Sequence, residues 1–258
     1  MGYVILAMLA LGIGVSGYLI GSVSWAVIIS AMVYHIDIYK VGSGNAGGTN
    51  VGRAVGKKGA ILVIALDSLK CLLPLWIWFF ICSLTSFKDY IGTISPDFPL
   101  ALFYYAAGFG AGMGHVFPLY YHFKGGKAVS CFAGFIMGTN WLLMVIGCFI
   151  FFSSFFWKKR VSFSSIVGTV ITCLCALVIG IIDVFYPDFF AFAFWFFPGP
   201  KFDGGWVYAL YVSFFALMVL ILHRANMIRL AKKTEPETHF LHKGEKPVDN
   251  YDQNQKKA

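Results

Sequence analysis

The sequence predicts an all-α integral membrane protein of about seven transmembrane helices, with the N-terminus outside and the C-terminus cytoplasmic. Three observations carry that expectation. Of the 258 residues, 59% are hydrophobic and only 12% charged, whereas a soluble domain is about half apolar and about a quarter charged. The apolar residues gather in stretches at roughly 3–34, 59–84, 99–119, 128–157, 161–183 and 206–222, and about 20 such residues make one crossing. The basic residues fall almost entirely between the stretches. Soluble globular, disordered and collagen-like chains are thereby excluded.

Stretch 3–34 has no basic n-region and is too long for a signal peptide, so it reads as an uncleaved span. Stretches 59–84 and 99–119 each fit one crossing. Segment 128–157 carries no charge, yet Lys124 and Lys127 precede it and Lys158, Lys159 and Arg160 follow it. Cytoplasmic loops are the ones rich in Lys and Arg, so both flanks belong on one side. The segment must then form a hairpin of two short helices of about 14 residues, turning near Gly138, Thr139 and Asn140. With 161–183 and 206–222 the count reaches seven.

On this topology the cytoplasmic segments are 35–58, 118–127, 158–160 and 223 onward. Of 20 Lys and Arg, only Lys88 and Lys201 fall outside and Lys70 lies within a span, leaving 17 on the cytoplasmic side. The outer loop 184–205 reads as an interfacial aromatic belt. Residues 1–230 form a single transmembrane catalytic domain; 231–258, mixed in charge and poor in apolar residues, form a polar, partly disordered cytoplasmic tail. The six cysteines all sit in apolar stretches without a C-x-x-C pair. They read as small hydrophobes, not as a disulfide framework or metal site.

Loop 35–58 combines six glycines between Gly42 and Gly56 with Ser43, Asn45, Thr49, Asn50 and Arg53. Exposed backbone N–H groups, short polar side chains and a fixed cation are the parts of a phosphate cradle. The match Gly42-x-Gly44-x-x-Gly47 is not a dinucleotide fingerprint, because it follows no strand and recurs as Gly12-x-Gly14-x-x-Gly17 inside a span. A second element, Lys124-Gly125-Gly126-Lys127, sets two cations around a glycine pair just before a helix. In a third, His223 and Asn226 share a helix face, with Arg224 and Arg229 nearby. All three fall on the cytoplasmic face, which suggests a site for a phosphorylated substrate destined to become a lipid. His35, His115 and His122 have no comparable partner and read as structural. Asp67 and Lys70, three residues apart and roughly 12–17 Å into the second span at 1.5 Å per residue, should face the bundle interior. There they would pair with each other or serve the site.

Three ordered motifs carry a family resemblance: Gly-Ser-Gly-Asn-x-Gly-x-Thr-Asn-Val-x-Arg at 42–53, Gly-His-x-Phe-Pro with Phe-Lys-Gly-Gly-Lys at 114–127, and His-Arg-x-Asn-x-x-Arg-Leu at 223–230. Up to about Glu235 the chain resembles the bacterial acyl-phosphate-dependent glycerol-3-phosphate acyltransferases. The resemblance implies transfer of a fatty acyl group from acyl phosphate to the 1-position of sn-glycerol 3-phosphate, giving lysophosphatidate and inorganic phosphate, with no cofactor and no metal. Its substrates imply contact with membrane lipids and none with nucleic acid. By matching positions, Ser43, Arg53, Lys124, His223 and Asn226 would hold glycerol 3-phosphate, with His223 and Asn226 catalytic. Gly44, Asn45, Gly47, Thr49, Asn50, Gly125, Gly126 and Lys127 would receive the acyl phosphate. Four positions depart from the family pattern: Ser24 stands at a common proline, and Cys71, Ala128 and Lys233 replace glycines. The H-x-x-x-x-D signature of unrelated acyltransferases is absent. The alternative from another class is a transporter or channel for small organophosphates, against which the polar motifs gather on one face rather than at the midplane.

Overall fold

In a computed structural model the described residues are 1–186, 189, 191–194, 205–238 and 240. Among them every regular element is a helix, and the α-helices are α1 (Gly2–Gly21), α2 (Trp25–Met32), α3 (Gly48–Val55), α4 (Lys57–Leu84), α5 (Phe87–Ile94), α6 (Ala101–Val116), α7 (Val129–Thr139), α8 (Trp141–Lys158), α9 (Val161–Phe185), α10 (Gly205–Leu222) and α11 (Arg224–Ala231). Most of the outer loop 184–205, with Lys201, and the tail beyond 240 lie outside the described residues.

Among the described residues, five segments are long and apolar enough to cross a membrane: 2–32, α4, α8, α9 and α10. Helices α6 and α7 also run along the bundle but have only 16 and 11 residues. The first apolar stretch is not one continuous helix. It breaks between Gly21 and Trp25, where Ser24 is extended (φ −94°, ψ 96°), even though serine replaces the family's proline there. The break releases the Val23 carbonyl, which accepts a hydrogen bond from Lys70 Nζ at 2.7 Å.

Segment 128–157 divides where its turn residues place the split. Asn140 is extended, caps α8 by accepting from the Leu143 N–H at 2.9 Å, and separates α7 from α8. The two arms are unequal, 11 and 18 residues rather than about 14 each. Helix α7 runs parallel to α4, with Cys131 meeting Asp67 and Trp76 meeting Gly138. Helix α8 returns antiparallel to α9, as Gly147 faces Thr172 and Trp157 faces Phe163.

Between helices in lipid, close packing replaces the hydrophobic effect as the force of association. Helices α1 and α6 lie side by side and parallel through two small-residue repeats. A Cβ on Gly17 would stand 2.0 Å from the Ala107 carbonyl oxygen, and one on Gly21 equally close to that of Ala111. Only glycine lets the backbones approach so far. Behind this seam, Tyr105, Phe135, Tyr208 and Phe215 interlock at ring separations of 5.6–6.3 Å and join α6, α7 and α10.

The contacts define two ends. At one, Tyr18 reaches Phe117, Tyr39 reaches Lys124, Lys127 reaches Asn226 and Ser162 reaches Glu235. At the other, Thr139 meets Tyr208, Tyr211 meets Leu102 and Trp141 meets Phe192. All three polar motifs lie at the first end.

Candidate active site at the loop end of the bundle

The glycine-rich loop is shaped by Asn50. This buried side chain accepts the Ser43 N–H at 2.8 Å and donates to the Ile38 and Val41 carbonyls at 3.1 and 3.0 Å. Both N–H donors and one lone pair of the oxygen are committed to its own loop, so Asn50 acts as a brace. Around it Ser43, Gly44, Asn45, Gly47, Thr49 and Arg53 are all half-buried. Gly47 precedes α3, whose first N–H groups have no carbonyl within the helix to receive them.

The second motif docks on the first at two points. Tyr39 donates its hydroxyl proton to the Lys124 carbonyl at 2.7 Å, while the Lys124 side chain remains exposed. Gly126 lies against both His115 and loop 42–53: its N–H donates to the His115 carbonyl at 3.1 Å, and a Cβ there would stand 2.1 Å from His115 Nε2 and 2.9 Å from the Ala46 carbonyl oxygen. Lys127, half-buried, donates from Nζ to Asn226 Oδ1 at 2.5 Å.

The third motif supplies the remaining wall. His223 lies just beyond α10, at the residue that precedes α11, with its side chain turned away from the first N–H groups of that helix. Its Nδ1–H donates to the Val219 carbonyl at 2.8 Å, a bond that sets the tautomer and leaves Nε2 as an acceptor. Burial, followed by the nearby Lys127 charge, holds the imidazole down to about 4 from an ordinary 6.5, so it is neutral near pH 7. Asn226 donates to Glu235 Oε1 at 2.8 Å. That carboxylate also accepts from Ser162 at 2.6 Å and from Arg229 Nε at 2.7 Å. Burial would raise the Glu235 carboxyl, but the bonds from Ser162, Arg229 and Asn226 prevail and hold it below its ordinary value.

The structure thus brings Lys127, His223 and Asn226 into one cluster and ties it through Gly126 to loop 42–53. Two contributors escaped the sequence reading. Glu235 and Ser162 carry no motif signal of their own; the available hint was the pair of acids, Glu235 and Glu237, that follows the basic run from Arg229 to Lys233. His115 was read as structural and unpartnered, yet its Nδ1 stands 3.5 Å from Asp67. Beyond the site, the chain turns back: the Thr238 N–H donates to the Lys159 carbonyl, and its hydroxyl accepts the Val161 N–H. Among the described residues, no group of three His, Cys, Asp or Glu is placed to hold a metal ion.

Comparison with known proteins identifies the family of the chain. Residues 11–233 match the family described as glycerol-3-phosphate acyltransferase. A glycerol-3-phosphate acyltransferase of Mycoplasma mycoides subsp. mycoides is 33% identical over 254 aligned positions, covering 87% of this chain and 91% of that protein. Among solved structures, the glycerol 3-phosphate form of PlsY, an integral membrane glycerol 3-phosphate acyltransferase, superposes with a TM-score of 0.66 at 26% identity, covering 90% of this chain and 96% of the other. Its lysophosphatidic acid form gives 0.64 at 25% identity, covering 88% and 94%. A bundle that gathers the three motifs at one end, in a chain matched from residue 11 to residue 233, is a member of the integral membrane glycerol-3-phosphate acyltransferase family.

Proposed function

We propose that the protein transfers a fatty acyl group from acyl phosphate to the 1-position of sn-glycerol 3-phosphate, releasing lysophosphatidate and inorganic phosphate at the cytoplasmic face of the cell membrane. The observation that carries the reading is the meeting of Lys127, His223 and Asn226 with the glycine-rich loop through Gly126. The relatives support the acceptor by name, and a PlsY structure in a lysophosphatidic acid form supports the product.

Acyl phosphate carries a good leaving group, so the barrier lies in orienting the acceptor and stabilising the developing oxyanion. The glycerol hydroxyl attacks the acyl carbon, the carbon–oxygen bond to phosphate breaks, and the phosphate departs. Ser43, Arg53 and Lys124 hold the phosphate of the acceptor. Lys127 and the backbone around Gly44–Asn50 and Gly125–Gly126 receive the donor phosphate. His223 accepts a hydrogen bond from the attacking hydroxyl at Nε2, and Asn226 orients it. An imidazole held near 4 is a poor final proton acceptor, which favours a phosphate oxygen of the bound substrate as the proton's destination.

Purified protein given palmitoyl phosphate and labelled glycerol 3-phosphate should form labelled lysophosphatidate without thioester donors. An organophosphate transporter would form none, and turnover restricted to acyl-CoA or acyl carrier protein would overturn the donor assignment.

A further inference from the structure

A buried charge cluster lies directly beneath the glycine pair, and the chemistry proposed above does not use it. Asp67 and Lys70 of α4 and His115 of α6 are 1%, 4% and 4% exposed. Lys70 Nζ stands 2.9 Å from Asp67 Oδ1 and donates to the Val23 carbonyl freed by the α1–α2 break. His115 turns Nδ1 toward the same Asp67 oxygen at 3.5 Å and presents Nε2 to the underside of Gly126. The Cys131 thiol of α7 caps the Asp67 backbone carbonyl at 3.3 Å.

Stability alone does not account for this group. A buried ion pair is at best weakly stabilising compared with apolar residues of the same volume, and this one is incompletely satisfied: both Asp67 carboxylate oxygens are buried with no hydrogen-bond partner among the described residues, and Oδ1 meets Lys70 and His115 as charge contacts alone. What the cluster does is fix geometry. A carboxylate facing one imidazole nitrogen sets the orientation of the ring, as outer-sphere carboxylates do for metal-bound histidines. Here the opposite edge of the ring is the surface on which Gly126 rests, and Gly126 in turn precedes Lys127 and touches Ala46 of the glycine-rich loop. Four segments, the α1–α2 break, α4, α6 and the 125–126 turn, are held in register by one ring and one ion pair.

We propose that Asp67, Lys70 and His115 are positioning residues for the donor phosphate: Asp67 orients the His115 ring, and the ring seats Gly126 and Lys127 against loop 42–53. The inference rests on the assignment of that cradle to the donor. Asp67→Asn, His115→Asn and the double variant Asp67→Asn/Lys70→Met, which removes both charges together, should each be purified and their thermal midpoints measured beside the wild type. For every variant that folds, KM for palmitoyl phosphate should rise by about tenfold or more, as loss of an orienting partner commonly costs, with KM for glycerol 3-phosphate changed less than about twofold. His115→Gln, whose amide nitrogen can take the place of Nε2 under Gly126, should recover part of the loss. Equal rises in both KM values, a fall in kcat alone, or unchanged kinetics would each overturn the proposal. The wild-type control separates the two readings. If it turns over only a thioester donor, the donor assignment falls, and the positioning role is read from the KM of that thioester by the same criteria.

Discussion

Lys127 and Asn226, 99 positions apart, are joined by a hydrogen bond from Nζ to Oδ1, and the opposite side of the same amide is held by Glu235. The amide cannot rotate without turning an N–H group toward the ammonium. Its orientation is therefore dictated from both sides, and with it the position of Lys127. Glu235→Gln should leave the fold intact but release this arrangement, because a glutamine amide can present only one oxygen to Ser162, Asn226 and Arg229 together. Loss of a comparable orienting partner costs about 10–100-fold in activity, so kcat/KM should fall into that range; a change below threefold would show that Asn226 is held by other means.

Asn50 makes three hydrogen bonds to the loop it closes. Asn50→Ala should lower stability by about 3 kcal/mol, at about 1 kcal/mol for each neutral bond. It should also depress activity with both substrates, since the whole cradle loosens. Denaturation in detergent, read beside the two KM values, checks both parts.

Helix α11 ends in a Schellman motif: the Thr234 N–H donates to the Arg229 carbonyl and the Lys233 N–H to that of Leu230, with Lys233 left-handed at φ 58°. Glycine takes this conformation freely, whereas a residue with a Cβ is strained by about 1 kcal/mol. Because Lys233 is exposed, Lys233→Gly forfeits no buried contact. The variant should unfold at a higher temperature than the wild type with unchanged turnover.

The pH dependence follows from two depressed groups. His223 stays neutral in the folded chain down to about 4, while in the unfolded chain it protonates near its ordinary 6.5. Between those values the unfolded state binds more protons, so stability is full above about 6.5 and declines as pH falls toward 4. Glu235, also held low, acts in the same direction: its contribution is present above its ordinary value and is lost as the carboxylate protonates. The thermal midpoint of the wild type should drop across this window, and that of His223→Gln should drop less. An inflection in activity at about pH 6, where a phosphate monoester takes its second proton, should be the same in the wild type and in His223→Gln, because His223 does not titrate there.

Lys159 sits in the turn between α8 and α9, at the same end as the candidate site. A cysteine placed there should react with an impermeant maleimide only after the membrane is opened from the cytoplasmic side. Labelling of intact cells would reverse the proposed orientation.

The helical class, the division at Asn140 and the clustering of three motifs were legible because each rests on local chemistry: apolar length, a cap, and charge placed between spans. The seam of α1 on α6 was not, since glycines inside an apolar run look alike until a partner is seen. The departures from the family pattern are instructive. Ala128 and Lys233, which replace family glycines, both hold positive φ, 61° and 58°, so the backbone shape persists without the residue that adopts it most easily. Cys71 replaces a glycine within α4 and instead points its thiol at the Gly108 carbonyl at 3.0 Å. Burial of Asp67 and Lys70 was foreseen from their depth, but their third partner, His115, lies 45 positions further along the chain, and no periodicity links them.

The return of the chain after α11 has a practical meaning for where this protein can be cut. The family match stops at residue 233, a natural place to trim for expression. A chain ended there would lose Glu235, and with it the anion that aligns Asn226 and Arg229. It would also lose Thr238, whose backbone and hydroxyl stitch the α8–α9 turn. The packed chain therefore extends at least five residues beyond the family match, and truncation series should begin no earlier than residue 240.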